Sequence, residues 1–375
     1  MIAGDVRIML RAVSRGIRLN SVGARAMSSG GTMDAVRVHK WLSGPSELQI
    51  DRIPVPDAPQ EGQYEVDIRA IGCNFYDVLQ IQGKYQFKPP FPFIPGNEFS
   101  GVVTRRGPGP DADYKFNVGD RVFGSEQGAY TERITCSETS LMAVPPSLSF
   151  EQAAGISVTY PTSHYALTRR GHVKAGETVL VHAAAGGVGL AACQVAKSLG
   201  ATVIATAGSP AKLAVAKERG GADHAINYRD DDWIQQVKDL TDGGGVDVVY
   251  DPVGLVTESS KCIAWNGRIL VIGFVKWPGG KGPNALPTFP VNRALIKGCS
   301  IVGVFYGRFM MTEPEENALV WDEINARFAD GSYAPVVYDQ PFNGLASASS
   351  ALQALADRQT FGKAVIRPGA GGSKL

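Results

Sequence analysis

The stretch Ala183-Ala184-Ala185-Gly186-Gly187-Val188-Gly189 constrains this chain more than any other segment. An apolar run, Thr178 to Val181, precedes it; a helix-like stretch, Leu190 to Leu199, follows; a second strand pattern spans Ala201 to Thr206. Strand, glycine turn, helix and strand in that order predict a βαβ unit whose turn binds a pyrophosphate. Small residues let the backbone approach the phosphates and the last glycine lets helix and strand pack closely. The helix N-terminus adds free N–H groups and a positive dipole end. The pattern is Ala184-x-Gly186-x-x-Gly189, with alanine where the first glycine usually stands. Ala184, Gly186, Gly187, Val188 and Gly189 are therefore the predicted pyrophosphate contacts.

The end of the second strand selects the dinucleotide. An NAD site places a carboxylate about 20 positions beyond the glycines, on the ribose hydroxyls. Here the stretch is Ala205-Thr206-Ala207-Gly208-Ser209-Pro210, without an acid. Ser209 as hydrogen-bond donor, Lys212 as charge and Tyr228, after the strand pattern His224 to Asn227, as a further donor suit a 2′-phosphate. The predicted cofactor is NADPH.

With 375 residues the chain has room for two or three domains, and a formal charge of +1 argues against a nucleic-acid or membrane surface as principal partner. Cys73, Cys136, Cys193, Cys262 and Cys299 are scattered without a C-x-x-C pair, which speaks against a disulfide framework or a zinc knuckle and for a reducing interior. No transmembrane span is expected. Both ends read as addresses. Residues 1–32 carry Arg7, Arg11, Arg15, Arg18 and Arg25 against Asp5, with Met9, Leu10, Val13 and Ile17 at helical spacing, the composition of a mitochondrial presequence; Met33 offers an alternative start. After the glycine-rich tail from residue 369, the chain ends in Ser373-Lys374-Leu375, the tripeptide read by the peroxisomal import receptor. Peroxisome ranks first as the expected location, mitochondrion second and cytosol third.

Short strand-like runs, Tyr64 to Ile71, Phe99 to Thr104 and Asp120 to Phe123, separated by Gly and Pro turns, predict a β-rich unit from Asp34 to about Ser147. From Glu151 to Tyr306 strand patterns alternate with helical ones: Thr178 to Val181, Thr202 to Thr206, Val246 to Tyr250, Arg268 to Ile272 and Ser300 to Val304. A helical Glu313 to Ala329 and a terminal strand, Ala364 to Ile366, complete the chain. The fold class is α/β, with a nucleotide unit inserted into a β-rich catalytic unit and the substrate cleft between them.

Five segments then resemble a known family: Gly72-Cys73-Asn74-Phe75-Tyr76-Asp77, Gly83-Lys84-Tyr85, Pro92 to Gly101 (PFIPGNEFSG), Val118-Gly119-Asp120-Arg121-Val122, and His182 to Gly189. Together they are similar to the medium-chain dehydrogenase/reductases, within them the zinc-independent quinone oxidoreductase group, over nearly all of residues 34–367. The resemblance implies a GroES-like catalytic domain, residues 33–157 and 308–368, and a doubly wound Rossmann domain, residues 158–307. It also implies a homodimer joined through the Rossmann sheet edge. Zinc-dependent members of the family have cysteine where this chain has Asn74 and histidine before a glutamate where it has Asn97 before Glu98, and their third ligand falls near Val158. An amide is a poor zinc ligand beside thiolate and imidazole, so no metal site is expected.

Without a Lewis acid, reduction of an activated acceptor is the easier chemistry. The expected acceptor is an electrophile, a quinone or an α,β-unsaturated carbonyl, that takes hydride while a hydrogen-bond donor stabilises its oxygen. The resemblance offers Asn74 and Tyr85 as catalytic donors, and Tyr85 also as general acid. It adds Thr162 near the nicotinamide, Gly273 and Phe274 after a strand facing the cofactor, and Lys363 in a terminal Gly-Lys closing over it. His182 reads as a packing or turn residue, and the loop Trp277 to Pro290 as the part that shapes the acceptor pocket. An enoyl-thioester reductase, whose catalytic tyrosine corresponds to Tyr85, is the first alternative; a nonenzymatic NADPH-binding or RNA-binding protein is the alternative of another class.

Overall fold

The computed structural model describes residues 31–274 and 287–369. The basic stretch up to residue 30, the Ser373-Lys374-Leu375 terminus and residues 275–286 of the acceptor loop lie outside the described residues.

A six-stranded sheet runs in the order His224–Asn227, Thr202–Ala207, Thr178–Val181, Val246–Asp251, Ile263–Val271, Ser300–Gly303. Every neighbouring pair in it is parallel. Because side chains alternate across a strand, Val179, Val181, Val203 and Val248 enter the core on one face of this sheet while Leu180, Ile204 and Val249 enter the core on the other. Burial on both faces is why these strands read as unbroken apolar runs. The strand order reverses at Thr178–Val181, which has its chain successor on one side and Val246–Asp251 on the other. Ligands of open α/β sheets bind at the carboxyl ends of the strands at such a reversal, and the glycine turn emerges there.

The second sheet has seven strands and is mostly antiparallel. Gln63–Gly72 lies at its centre, paired with Glu98–Arg106, with Arg133–Ser137 and with the C-terminal Val365–Arg367. The last described strand thus returns to the seven-stranded sheet in which Gln63–Gly72 lies, and the six-stranded unit is inserted between. The α/β class expected from the sequence is observed.

Local differences have local causes. The helix after the glycine turn is Gly187–Ser198, so glycines read as turn form its first turn. The strand expected to begin at Arg268 begins at Ile263; Asn266 and Gly267 are carried inside it, with Asn266 at φ +59° and a register shift against Val246–Asp251. The β-rich reading of the N-terminal unit omits a helix, Phe75–Ile81, that proves central to the site.

Candidate functional site

At the glycine turn, Ala183 adopts φ +48°, Ala184 N–H donates to the Thr206 carbonyl at 2.9 Å, and Gly186 N–H donates back to Ala183 at 2.9 Å. A side chain on Gly189 would place its Cβ 2.3 Å from the Ala183 carbonyl oxygen and 2.7 Å from Ala184 Cα, so only glycine lets helix and strand approach this closely. The amides of the helix's first turn have no intrahelical acceptor and present a site for an anion. Ser163 Oγ donates to the Val188 carbonyl at 2.9 Å, holding helix Thr159–Tyr165 against this turn.

The structure brings Ser209, Lys212 and Tyr228 to the end of the adjoining strand. Ser209 is the extended residue before helix Pro210–Glu218, and the Tyr228 hydroxyl lies 2.5 Å from where a Cβ on Gly208 would stand. Lys212 Nζ donates to the Arg358 carbonyl at 2.5 Å. Burial first, then the charges of Arg358 and Arg229, lower the pKa of Lys212. Such like charges are what a phosphate dianion would relieve. Arg229 and Arg358 were not singled out in the sequence; Arg358 stands 146 residues from Lys212.

Asn74 is buried directly before helix Phe75–Ile81, and its N–H donates to Asp77 Oδ2 at 2.8 Å. Its carboxamide is engaged on both sides. Nδ2 donates to Glu98 Oε2 at 2.7 Å and to the Gly72 carbonyl at 3.4 Å, while Oδ1 accepts from Lys363 Nζ at 2.7 Å. Lys363 Nζ also donates to Glu98 Oε2 at 2.6 Å, and Glu98 Oε1 accepts from Val158 N–H at 2.7 Å. The ring of Tyr85 stacks on Tyr76 with centroids 5.3 Å apart. Burial, then the carboxyl of Asp77, raises the Tyr85 phenol above its ordinary range, which keeps it protonated and able to donate. Asp77 is itself pushed up to about 7, chiefly by burial, against hydrogen bonds from Asn74 N–H and the Tyr130 hydroxyl.

Lys363, read in the sequence as part of a terminal Gly-Lys closing over the cofactor, lays its stem against Gly187 and its ammonium on Asn74 and Glu98, and Glu98 is the partner the sequence reading left unassigned. Thr162 is half-buried within helix Thr159–Tyr165, and the methyl of Thr159, at the start of that helix, lies 3.0 Å from a Cβ position on Gly187. Gly273 and Phe274 follow Ile263–Val271 at the edge of the described segment. Phe274 is 44% exposed. His182 is fully buried between Thr206 Oγ1 at 2.9 Å and Ser259 Oγ at 2.8 Å, and burial lowers its pKa, a packing role.

A parallel-sheet unit with a glycine turn suited to a pyrophosphate, inserted into a β-rich unit, is the architecture of a nucleotide-dependent oxidoreductase. The "Alcohol dehydrogenase GroES-like domain" model matches residues 60–146 and the "Zinc-binding dehydrogenase" model residues 187–325. The chain is 35% identical over 308 residues to quinone oxidoreductase-like protein 2 homolog of Nematostella vectensis, covering 81% of each. It is 40% identical over 260 residues to the mouse quinone oxidoreductase-like protein 2, covering 68% of this chain and 71% of the mouse protein. Among solved structures it is similar to Escherichia coli quinone oxidoreductase complexed with NADPH (TM-score 0.77, 31% identity, covering 89% of this chain and 100% of that one). The mycobacterial protein Rv1454c complexed with NADPH gives a TM-score of 0.78 at 33% identity, covering 90% and 100%. The chain belongs to the medium-chain dehydrogenase/reductase superfamily, in its quinone oxidoreductase-like group. The zinc in one model's description does not fit the residues present at Asn74. An amide, one carboxylate and an ammonium already bonded to both form a set that repels a divalent cation, and among the described residues no group of three or more His, Cys, Asp or Glu could hold one.

Proposed function

We propose that this protein is an NADPH-dependent reductase of quinones or related α,β-unsaturated carbonyls. The observation that carries the reading is Lys212, on the helix that Ser209 opens and held to the Arg358 carbonyl, with the Tyr228 hydroxyl packed against Gly208, next to a glycine turn suited to a pyrophosphate. The NADPH complexes of two similar proteins support it. Gly186 to Gly189 would hold the pyrophosphate, and Ser209, Lys212, Tyr228 and Arg358 the 2′-phosphate. Bound NADPH supplies the hydride. Tyr85, held protonated and stacked on Tyr76, donates a hydrogen bond to the acceptor oxygen and then its proton; Asn74 already spends its carboxamide on Glu98, Gly72 and Lys363, so it frames the site.

The test is the initial rate of NADPH oxidation by protein lacking residues 1–32, with an ortho-quinone and with a trans-2-enoyl-CoA. Faster quinone turnover supports the reading; faster enoyl-CoA turnover moves the protein to the thioester-reducing branch. Tyr85→Phe should lower kcat about 100-fold with the better acceptor. Unchanged turnover would remove Tyr85 from the chemistry.

We further propose a homodimer through the open edge of the six-stranded sheet. Among the described residues Ser300–Gly303 ends that sheet, with Ile301 42% exposed, and nearby Leu295 is 83% and Ile296 65% exposed. Apolar side chains along an unpaired strand edge form a surface for a second copy. Leu295→Glu should yield a monomer by light scattering with an unchanged circular dichroism spectrum; a wild-type monomer would refute the interface. Import into peroxisomes through Ser373-Lys374-Leu375 is the proposed location, and a tagged chain lacking Leu375 that still reaches peroxisomes would remove its basis.

A further inference from the structure

Resting on the reductase reading, we propose that Lys363 is a positioning residue that couples the nucleotide turn to the Asn74–Tyr85 side of the cleft, rather than a lysine that binds the cofactor. Three groups of observations converge on it.

First, its ammonium is inside the protein. Lys363 is 7% and Glu98 0% exposed, and Nζ reaches Glu98 Oε2 at 2.6 Å and Asn74 Oδ1 at 2.7 Å. A buried ammonium aimed at a buried carboxylate is committed to that partner, since either charge left alone would be strongly penalised. Second, the carboxylate it meets is spoken for on both oxygens. Oε2 takes Asn74 Nδ2 and Lys363 Nζ, and Oε1 takes Val158 N–H at the start of helix Thr159–Tyr165. The ammonium therefore decides which way the Asn74 carboxamide faces: Oδ1 toward Lys363 and Nδ2 toward Glu98. Asn74 leads into helix Phe75–Ile81, which carries Tyr76, and Tyr76 stacks on Tyr85.

Third, the rest of Lys363 belongs to the nucleotide side. Gly362 N–H donates to the Ala185 carbonyl at 2.8 Å, and Gly362 forms a bridge with Gly186. The lysine stem runs 3.0 Å from a Cβ position on Gly187 and 2.9 Å from one on Gly155. One side chain thus spans from the first helical residue of the glycine turn to the residue that opens the tyrosine-bearing helix. Its backbone and stem fix one end, its charge the other. The separation between hydride donor and acceptor is set by how these two sides stand relative to each other, and small misplacement there is costly to rate while leaving each ligand's own contacts intact.

The experiment compares wild type, Lys363→Met, and the double variant Glu98→Gln with Lys363→Met. Each is measured for NADPH dissociation constant by titration, for kcat and KM with the preferred acceptor, and for Tm. Methionine keeps the stem over Gly187 and Gly155 and removes only the charge. Expected for Lys363→Met is a kcat about 10- to 100-fold lower, an NADPH dissociation constant within about threefold of wild type, and a Tm lower by roughly 5–10 °C from the stranded carboxylate. In the double variant no charge is stranded, so Tm returns; the Asn74 carboxamide is free to turn over, so kcat stays low. If Lys363→Met does not fold, the double variant carries the test alone.

A dissociation constant that weakens in step with kcat at unchanged Tm would overturn the proposal and make Lys363 a direct cofactor contact. A double variant that regains both Tm and kcat would overturn it and leave a structural ion pair. Full kcat in Lys363→Met beside an active wild type sinks the positioning role alone. A wild type that binds NADPH but reduces no acceptor sinks the reductase reading and this role with it.

Discussion

Gly189→Ala should lose about 3 kcal/mol of stability and most of its affinity for NADPH, with no residue of the cleft touched. The added Cβ would stand 2.3 Å from the Ala183 carbonyl oxygen and 2.7 Å from Ala184 Cα, both backbone positions that no rotamer change can relieve. Either helix Gly187–Ser198 slides off the sheet, or the turn rearranges; in both cases the first-turn amides leave the place where the phosphates would sit. Helix residues Ala191, Ala192, Val195 and Ala196 are buried, so a shift also opens the core. Gly186→Ala is the internal control. Its Cβ would have the Ala183 oxygen at 3.3 Å and no other neighbour within 4 Å, a contact that a few tenths of an ångström absorb. Denaturant unfolding should separate the two, with Gly186→Ala near wild type and Gly189→Ala far below. Equal stability of both variants would mean that the close approach at Gly189 does not hold the helix.

The second large effect concerns which dinucleotide is used. Lys212→Ala should lower the NADPH over NADH preference about 10- to 100-fold, the worth of one charge-assisted hydrogen bond to a phosphate. Combining it with Arg358→Ala should lower the preference further, because the charge of Arg358 is felt at Lys212. Ser209→Asp goes beyond loss. It places a carboxylate where a ribose hydroxyl would be taken and a 2′-phosphate repelled, and should turn the preference toward NADH. The measurement is the ratio of kcat/KM for the two dinucleotides at low and at high salt, since screening shrinks both the NADPH advantage of wild type and the repulsion of the 2′-phosphate in Ser209→Asp, drawing the two ratios together. If Lys212→Ala keeps the wild-type ratio, the phosphate is held elsewhere and the cation cluster has another use.

How much of this was legible in the amino-acid order differs between the two ends of the site. The glycine turn lies within seven consecutive residues, and its meaning depends on what directly precedes and follows it, so the order alone carries it. The absence of an acid at Ser209 is equally local. Asn74, Tyr85 and Lys363 were reached through resemblance; the terminal Gly-Lys does close over the nucleotide turn with its backbone and stem, while the pairing of its charge with Glu98 was not foreseen. Arg358 was missed outright. It sits at φ +57° in a turn after helix Ala348–Ala356, and nothing in its own sequence surroundings points to Lys212.

The sequence by itself determined the βαβ unit, the β-rich partner and the chemistry allowed at the turn, since strand and helix periodicity and the steric freedom of glycine act over a few residues. Only the tertiary structure decided who shares the cleft. Lys363 is 265 residues from Glu98 and 289 from Asn74, and the three meet because the last strand, Val365–Arg367, pairs with Gln63–Gly72 and brings the end of the chain back to its beginning. A pairing between buried charges at that separation leaves no local mark; it exists only once the sheet has closed around it.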